Sequence, residues 1–174
     1  VLHPARGLIG ASWIVDVSLT GALDAQGMVF DFGPAKREIK KIIDATGDHK
    51  LIVAQDDPRL DWQCEADRVA LAYRDDRGGQ LTVRSPRQAF CVLPGKHADA
   101  ETLARQLEQE VLAAMPPNIN KVDIRLREEI IDGAAYAYCH GLKKHAGNCQ
   151  RIAHGHRSRI QIFANDQRSN RHEQ

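Results

Sequence analysis

The sequence is short of the features that mark membrane, secreted or nucleic-acid-binding proteins. Its 174 residues contain no apolar run that approaches the length of a membrane span, and we expect no signal peptide. The formal net charge of +1 provides no global attraction to nucleic acid or to an anionic membrane. The few cysteines are irregularly spaced, which indicates free thiols in a reducing compartment rather than a disulfide framework: Cys64, Cys91, Cys139 and Cys149. We therefore expect a cytoplasmic protein without nucleic-acid or membrane partners.

What the chain does contain is enough apolar sequence for about one domain. Hydrophobic residues make up 43% and charged residues 27%, which is typical of soluble globular proteins. The periodicity predicts, in chain order, a hairpin of strands 12–20 and 28–32, a helix from Pro34 to Gly47, a hairpin of strands 69–73 and 81–84, a short strand or connector at 89–93, a helix from Asp99 to about Met115, and strands 121–129, 134–140 and 159–163. Helices on one face of an antiparallel sheet give an α+β fold.

Three histidines near the end of the sequence have the spacing of metal ligands. In an extended strand His154 and His156 point the same way, with only Gly155 between them. A third imidazole from a neighbouring strand, with the fourth position left to water or substrate, would complete a catalytic zinc site. His140 is the natural third ligand, because it ends the preceding apolar run. A bare His-x-His is about as often an ordinary polar strand end; His140 and the nearby Cys149 favour the metal site.

Four separate stretches together resemble the 6-pyruvoyl-tetrahydropterin synthase and 6-carboxytetrahydropterin synthase family, which has the tunnelling fold. The matching stretches are Leu23 to Phe32; Asp48-His49; Ala100 to Leu112 followed by Ile124 to Glu128; and Tyr136 to His140 with Cys149 and His154-Gly-His156. The resemblance implies an antiparallel sheet with two helices packed on one face. It also implies a homo-oligomer that closes into a barrel, with sites at the interfaces between units.

The order of these stretches departs from the family, in which the metal segment comes first. Here Leu8 to Trp13 occupies the place of the family's Leu-His-Gly-His-Ser-Tyr, and Ile9 and Ala11 stand where its two histidines would be. A tandem duplication accounts for this order. Residues 1–133 would form a first unit whose metal histidines are replaced, and residues 134–174 would begin a second unit that carries them and is cut short at Gln174. A circular permutation is the competing account.

The resemblance also implies a role for each residue of the site. Zinc held by the three histidines would coordinate the side-chain hydroxyls of 7,8-dihydroneopterin triphosphate. Cys149 would shuttle a proton as a thiolate, and Asp48 would orient His49 as a second proton carrier. Glu128 would accept two hydrogen bonds from the pterin ring. The family activities are zinc-dependent lyases. The short spacings around Cys149 favour 6-carboxytetrahydropterin synthase of deazapurine (queuosine) biosynthesis over 6-pyruvoyl-tetrahydropterin synthase or a non-catalytic pterin- or zinc-binding protein.

Several of these residues also have plainer interpretations. An isolated Cys149 would more often be a small buried residue, and Asp48-His49 could be a polar pair favoured by the helix dipole. Glu128 could face solvent, and its neighbour Glu129 competes for the role of pterin anchor. The basic residues that flank the metal segment could attract a triphosphate or form a solvated rim: Lys143, Lys144, Arg151 and Arg157.

Overall fold

The computed structural model describes residues 1–140, 154–164 and 167–169. Its elements are, in chain order, β1 (Leu2–His3), β2 (Gly7–Leu8), β3 (Trp13–Gly21), α1 (Phe32–Thr46), β4 (Leu51–Ala54), β5 (Leu60–Glu65), β6 (Arg68–Arg74), β7 (Gln80–Pro86), β8 (Phe90–Leu93), α2 (Ala100–Ala114), β9 (Ile119–Glu128), β10 (Ala135–His140), β11 (His154–Arg159), β12 (Ile162–Ala164) and β13 (Gln167–Ser169). No helix among the described residues is long and apolar enough to cross a membrane.

The main layer is the antiparallel pair of β3 and β9, with both helices packed on one of its faces. The register pairs Trp13 with Glu128 at one end and Leu19 with Val122 near the other. Because side chains alternate along a strand, the odd positions of β3 and the even positions of β9 share one face. That face and α2 bury one apolar cluster, to which α2 contributes Leu103, Leu107 and Val111 and to which α1 adds partly buried isoleucines. The expected α+β fold is confirmed.

Aspartate caps fix where both helices begin. The carboxylate of Asp31 accepts a hydrogen bond from the N–H of Gly33 at 3.1 Å, and that of Asp99 accepts one from Thr102 at 2.8 Å. The first helix therefore starts two residues before the predicted Pro34, whereas the second starts where the sequence indicates. Gly47 ends α1 as predicted, and its N–H bonds to the carbonyl of Ile43 at 3.0 Å.

The chain between α1 and α2 forms five further strands, β4 to β8, with an apolar cluster of their own. Strands β5, β6 and β7 form an antiparallel sheet, and β4 pairs with β8 in parallel. Their inward side chains bury a separate apolar cluster that includes Val53, Leu71, Tyr73 and Phe90. The predicted hairpin of strands 69–73 and 81–84 is confirmed as β6 and β7.

Two sequence predictions about strands are wrong, and several strands were not predicted. Residues 28–32 do not form a strand that pairs with β3: residues 28–31 are irregular, and Phe32 already begins α1. The side-chain amide of Asn118 holds this loop by donating to the carbonyls of Ala22 at 2.9 Å and Val29 at 2.8 Å. The sequence pattern also did not predict β1, β2, β4, β5 or β13. The expected strand at 159–163 is interrupted, because β11 ends at Arg159 and β12 begins at Ile162.

Candidate functional site

A cavity of about 360 Å³ lies where the N-terminal segment, the end of α1 and the helix-facing side of the β3–β9 pair meet; we call it the site cavity. Its walls are partly apolar, from Trp13, Leu103 and Leu126 among others. Its polar lining includes Asp48, His49 and, from β11, His156. The structure therefore brings together residues that stand more than 100 positions apart in the sequence.

The backbone turn after α1 presents Asp48 and His49 to the site cavity. The N–H groups of Gly47 and Asp48 both bond to the carbonyl of Ile43, at 3.0 and 3.1 Å, which closes the helix. His49 follows with φ of 57°, in the left-handed region that a residue with a Cβ adopts at a cost. Glycine or asparagine would fit this backbone better. A strained residue that lines a cavity is typical of a position kept for its side chain.

The N-terminal segment contributes apolar surface to the same cavity. Ile9 and Ala11, which stand where the resembling family has histidines, both line it. Neither side chain can bind a metal. If this cavity holds a metal, its imidazole ligands have to come from another part of the chain.

The pair of β10 and β11 brings the three candidate metal histidines into register. His140 lies directly opposite His154, and Tyr138 lies opposite His156. Directly opposed positions of an antiparallel pair share a face, as do positions two apart on one strand, so positions 140, 154 and 156 belong to the same face. Tyr138 stacks on His156 with ring centroids 5.3 Å apart. Cys149 and the side chains of His140 and His154 lie outside the described residues.

This register suits a group of three imidazoles on one metal. Of the three candidate ligands only the side chain of His156 is described, and it is half-buried. Among the described side chains, no group of three or more His, Cys, Asp or Glu is arranged to hold a metal ion. The donor set is chemically that of catalytic zinc, which takes nitrogen ligands and keeps one position open.

Glu128 is the last residue of β9 and stands opposite Trp13, which lines the site cavity. It shares the helix-facing row with Leu126, another residue of the cavity lining. Its carboxylate is 63% exposed and lies 3.3 Å from the guanidinium of Arg157. Glu129 lies past the end of the strand, and its carbonyl accepts a hydrogen bond from Arg157 at 2.7 Å. Of the two glutamates that the sequence left open, the register places Glu128 opposite Trp13, and neither glutamate lines the site cavity itself.

Sequence reasoning did not find the role of Arg157. It grouped this residue with the basic residues that could attract a triphosphate or form a solvated rim, whereas in the structure its guanidinium contacts Glu128 and Glu129. Nothing in the local sequence signals this contact, because it depends on where β9 ends relative to β11.

The chain belongs to the 6-pyruvoyl tetrahydropterin synthase family, whose model matches residues 3–138. Two proteins of Pyrococcus horikoshii and Pyrococcus abyssi, each named "Putative 6-carboxy-5,6,7,8-tetrahydropterin synthase", are 24% and 25% identical to it over 69% and 71% of this chain and 68% and 70% of their own length. The 6-carboxy-5,6,7,8-tetrahydropterin synthase of Rickettsia typhi is 41% identical over 59 residues, which is 33% of this chain and 43% of that protein.

Solved structures give the same fold. The crystal structure of 6-pyruvoyl tetrahydropterin synthase from Plasmodium vivax matches with a TM-score of 0.53 and 18% identity, and that of Plasmodium falciparum with 0.52 and 19%. Each match covers 67% of this chain and 72% of the other. At this identity the likeness establishes the tunnelling fold and no more.

Proposed function

We propose that this protein is a zinc-dependent lyase that acts on 7,8-dihydroneopterin triphosphate, namely the 6-carboxytetrahydropterin synthase of deazapurine (queuosine) biosynthesis. Membership of the pterin synthase family supports the substrate class. The similarity to proteins named for the 6-carboxy activity supports the choice within it. The observation that carries the proposal is that His156 lines the same cavity as Asp48 and His49.

In this proposal the three histidines hold zinc, which supplies stabilisation of the negative charge that develops on the substrate hydroxyls. Glu128 accepts two hydrogen bonds from the amino and ring N–H groups of the pterin, a charged bidentate match that fixes the ring. Cys149 and His49 carry protons, and Asp48 orients the imidazole of His49. The apolar walls of the site cavity around Trp13 and Leu126 exclude water from the bound ring.

The replacement of two family histidines by Ile9 and Ala11 favours a second candidate, a protein that binds a pterin without turning it over. Incubation of the zinc-loaded full chain with 7,8-dihydroneopterin triphosphate separates the candidates. We expect turnover, and the product mass distinguishes the 6-carboxy from the 6-pyruvoyl activity. Tight binding of the substrate without any product would support the second candidate instead.

Zinc occupancy tests the proposed ligands directly. We expect His154→Ala and His156→Ala to lose most of the bound zinc, because two imidazoles do not complete the site. His97→Ala, a histidine outside the site, serves as the control and should keep full occupancy when metal content is measured by mass spectrometry. Full occupancy in either ligand variant would rule out the assignment.

Cys149→Ala tests the proton carrier separately from the metal. Turnover should disappear while the zinc content stays at the wild-type level, because Cys149 is assigned to proton transfer rather than to the metal. Loss of zinc together with activity would instead make Cys149 a fourth ligand and the site a structural one.

We also propose that the protein forms a homo-oligomer in which each site lies where the unit of residues 1–133 meets the unit that begins at residue 134. Within the described part of the chain, β3 and β9 pair only with each other. Strands with such open edges favour association with further strands. Light scattering of the purified chain measures the assembly, and a monomer would reject this part of the proposal.

A further inference from the structure

Arg157 attaches the β10–β11 pair to the end of β9. One of its guanidinium nitrogens lies 3.3 Å from the carboxylate of Glu128, and the other donates to the carbonyl of Glu129 at 2.7 Å. Its side chain is 27% exposed, so most of it is packed rather than solvated. A second ion pair, from Arg159 to Asp132, is longer at 3.8 Å and more exposed. Arg157 therefore makes the closer attachment.

The position of Arg157 connects this attachment to the site cavity. His156 and Arg157 are neighbours on β11, and neighbours on a strand point to opposite faces. One face carries the imidazole that lines the site cavity, while the guanidinium on the other holds β9. Because the two residues are separated by a single strand step, a shift of β11 that breaks the Arg157 contacts also moves His156.

We propose that Arg157 is a positioning residue that sets the distance between His156 and the carboxylate of Glu128. This inference rests on the proposed function, in which one substrate reaches from the pterin anchor at Glu128 to the metal histidines. The separation of these two groups must then match the length of the substrate. Arg157 contacts Glu128, the proposed pterin anchor, and directly follows His156, a proposed metal ligand. It therefore controls the distance between these two residues most directly.

An arginine suits this role better than a lysine. A guanidinium offers separate N–H groups in a fixed plane, and here two of them reach two different acceptors. An ammonium could keep one contact but would not hold the same geometry. Because the Glu128 side chain is 63% exposed, its ion pair with Arg157 contributes little to global stability, so loss of Arg157 should alter the site more than the fold.

The test uses the full zinc-loaded chain with Trp62→Phe, so that Trp13 is the remaining tryptophan and reports ligands in the site cavity. The variants are Arg157→Gln, Arg157→Lys and Glu128→Gln. The matched control is Arg127→Gln, which removes an ion pair of the same kind, at 2.6 Å to Asp16, from the residue next to Glu128. Each protein is measured for the Kd of 7,8-dihydroneopterin by Trp13 fluorescence, for kcat and KM, and for hydrogen exchange of the backbone amides of residues 156–159.

We expect Arg157→Gln to bind dihydroneopterin nearly as well as the wild type but to lose about 100-fold in kcat, which is the scale of a misplacement near 1 Å. Arg157→Lys should recover part of kcat, Glu128→Gln should weaken Kd, and the Arg127→Gln control should leave both unchanged. Amide exchange should rise in Arg157→Gln and stay at the wild-type level in the Arg127→Gln control. A wild type that neither binds nor turns over the pterin would reject the proposed function, while the exchange data would still decide whether Arg157 holds β11. Behaviour of Arg157→Gln like the control, in kcat or in exchange, would overturn the inference.

Discussion

His49 lines the site cavity with a backbone conformation that few residues with a Cβ adopt. Its left-handed φ of 57° costs about 1–2 kcal/mol for a residue with a Cβ, and glycine avoids that cost at some entropic expense. We therefore expect His49→Gly to leave the free energy of unfolding within about 1 kcal/mol of the wild type while turnover is lost. His49→Ala, which keeps the strain without the imidazole, is the control. Urea denaturation and steady-state kinetics measure the two effects, and a large loss of stability in His49→Gly would show that the side chain is mainly structural.

The two cysteines whose side chains the structure describes, Cys64 and Cys91, should differ sharply in reactivity. Burial raises the pKa of the Cys91 thiol to about 11, whereas Cys64 is exposed on β5. Because the thiolate is the reactive form, Cys91 should resist alkylation at neutral pH in the folded protein. Mass-spectrometric mapping after brief iodoacetamide treatment should find Cys64 labelled and Cys91 labelled only after unfolding. Rapid labelling of native Cys91 would contradict its burial in the core.

Because the pKa of Cys91 is raised in the folded protein, the stability of the protein should depend on pH in the alkaline range. The folded-state pKa of Cys91 lies above the ordinary value of 9.0. The contribution of this thiol to the free energy of unfolding is therefore fully present below pH 9. Stability should fall as the pH rises from about 9 towards 11, because the unfolded chain ionises first. Cys91→Ala removes this dependence, and urea titrations of both proteins across the range compare the slopes.

At the scale of the elements, α2 depends on its cap. Burial alone would raise the pKa of Asp99, but the hydrogen bonds from Thr102 together with the nearby Arg105 and His97 outweigh it, so the pKa lies below its ordinary value of 3.8. The stabilisation by the carboxylate is therefore present above that value and lost as the pH falls through the lower folded-state pKa.

We expect Asp99→Ala to cost about 1 kcal/mol at neutral pH and Asp99→Asn much less, because asparagine also caps a helix. Thermal unfolding at pH 7 and at pH 3 measures both variants. The difference in melting temperature between the wild type and Asp99→Asn should be smaller at pH 3 than at pH 7. Equal stability of all three proteins at pH 7 would show that the cap contributes nothing.

Elements with local signals could be predicted from the sequence, and those defined by distant pairing could not. The α2 boundaries follow from Asp99 and the apolar stripe, and the β6–β7 hairpin follows from its glycine turn. Residues 28–32 carry a strand-like pattern, but the partner of β3 is β9, about 100 residues later. The loop is held by Asn118 instead, a contact that no local pattern reveals. The parallel pairing of β4 with β8 is non-local in the same way.

The candidate site also has features that could be predicted from the sequence and features that depend on contacts between distant residues. The spacing of the three histidines indicates metal ligands from the sequence alone, whereas the roles of Asp48 and His49 are implied by the family resemblance. That His156 lines a cavity with Asp48 and His49 depends on how β11 lies against the rest of the chain. The position of Glu128 opposite Trp13 likewise depends on the register of β3 with β9. The roles of these residues in catalysis remain predictions.

At the scale of the whole molecule, one chain supplies both halves of the candidate site. The segment after residue 133 brings His156 to a cavity built by residues 1–133, and Arg157 reaches Glu128 across the same boundary. The cavity lacks histidines at positions 9 and 11, and the later segment carries histidines of its own. A tandem duplication and a circular permutation would both leave this complementary arrangement.

A mixing experiment tests whether the two halves combine within a chain or between chains. Glu128→Ala and His156→Ala each remove one half, and we expect both to be inactive. Since the contacts of His156 and Arg157 are made within a single chain, each site should need both residues on the same polypeptide. The mixture should then show no activity above that of its two components, after subunit exchange is verified with differently tagged chains. Recovery of a substantial fraction of wild-type turnover would mean that the metal segment of one chain serves the cavity of another, as open strand edges in an oligomer would allow.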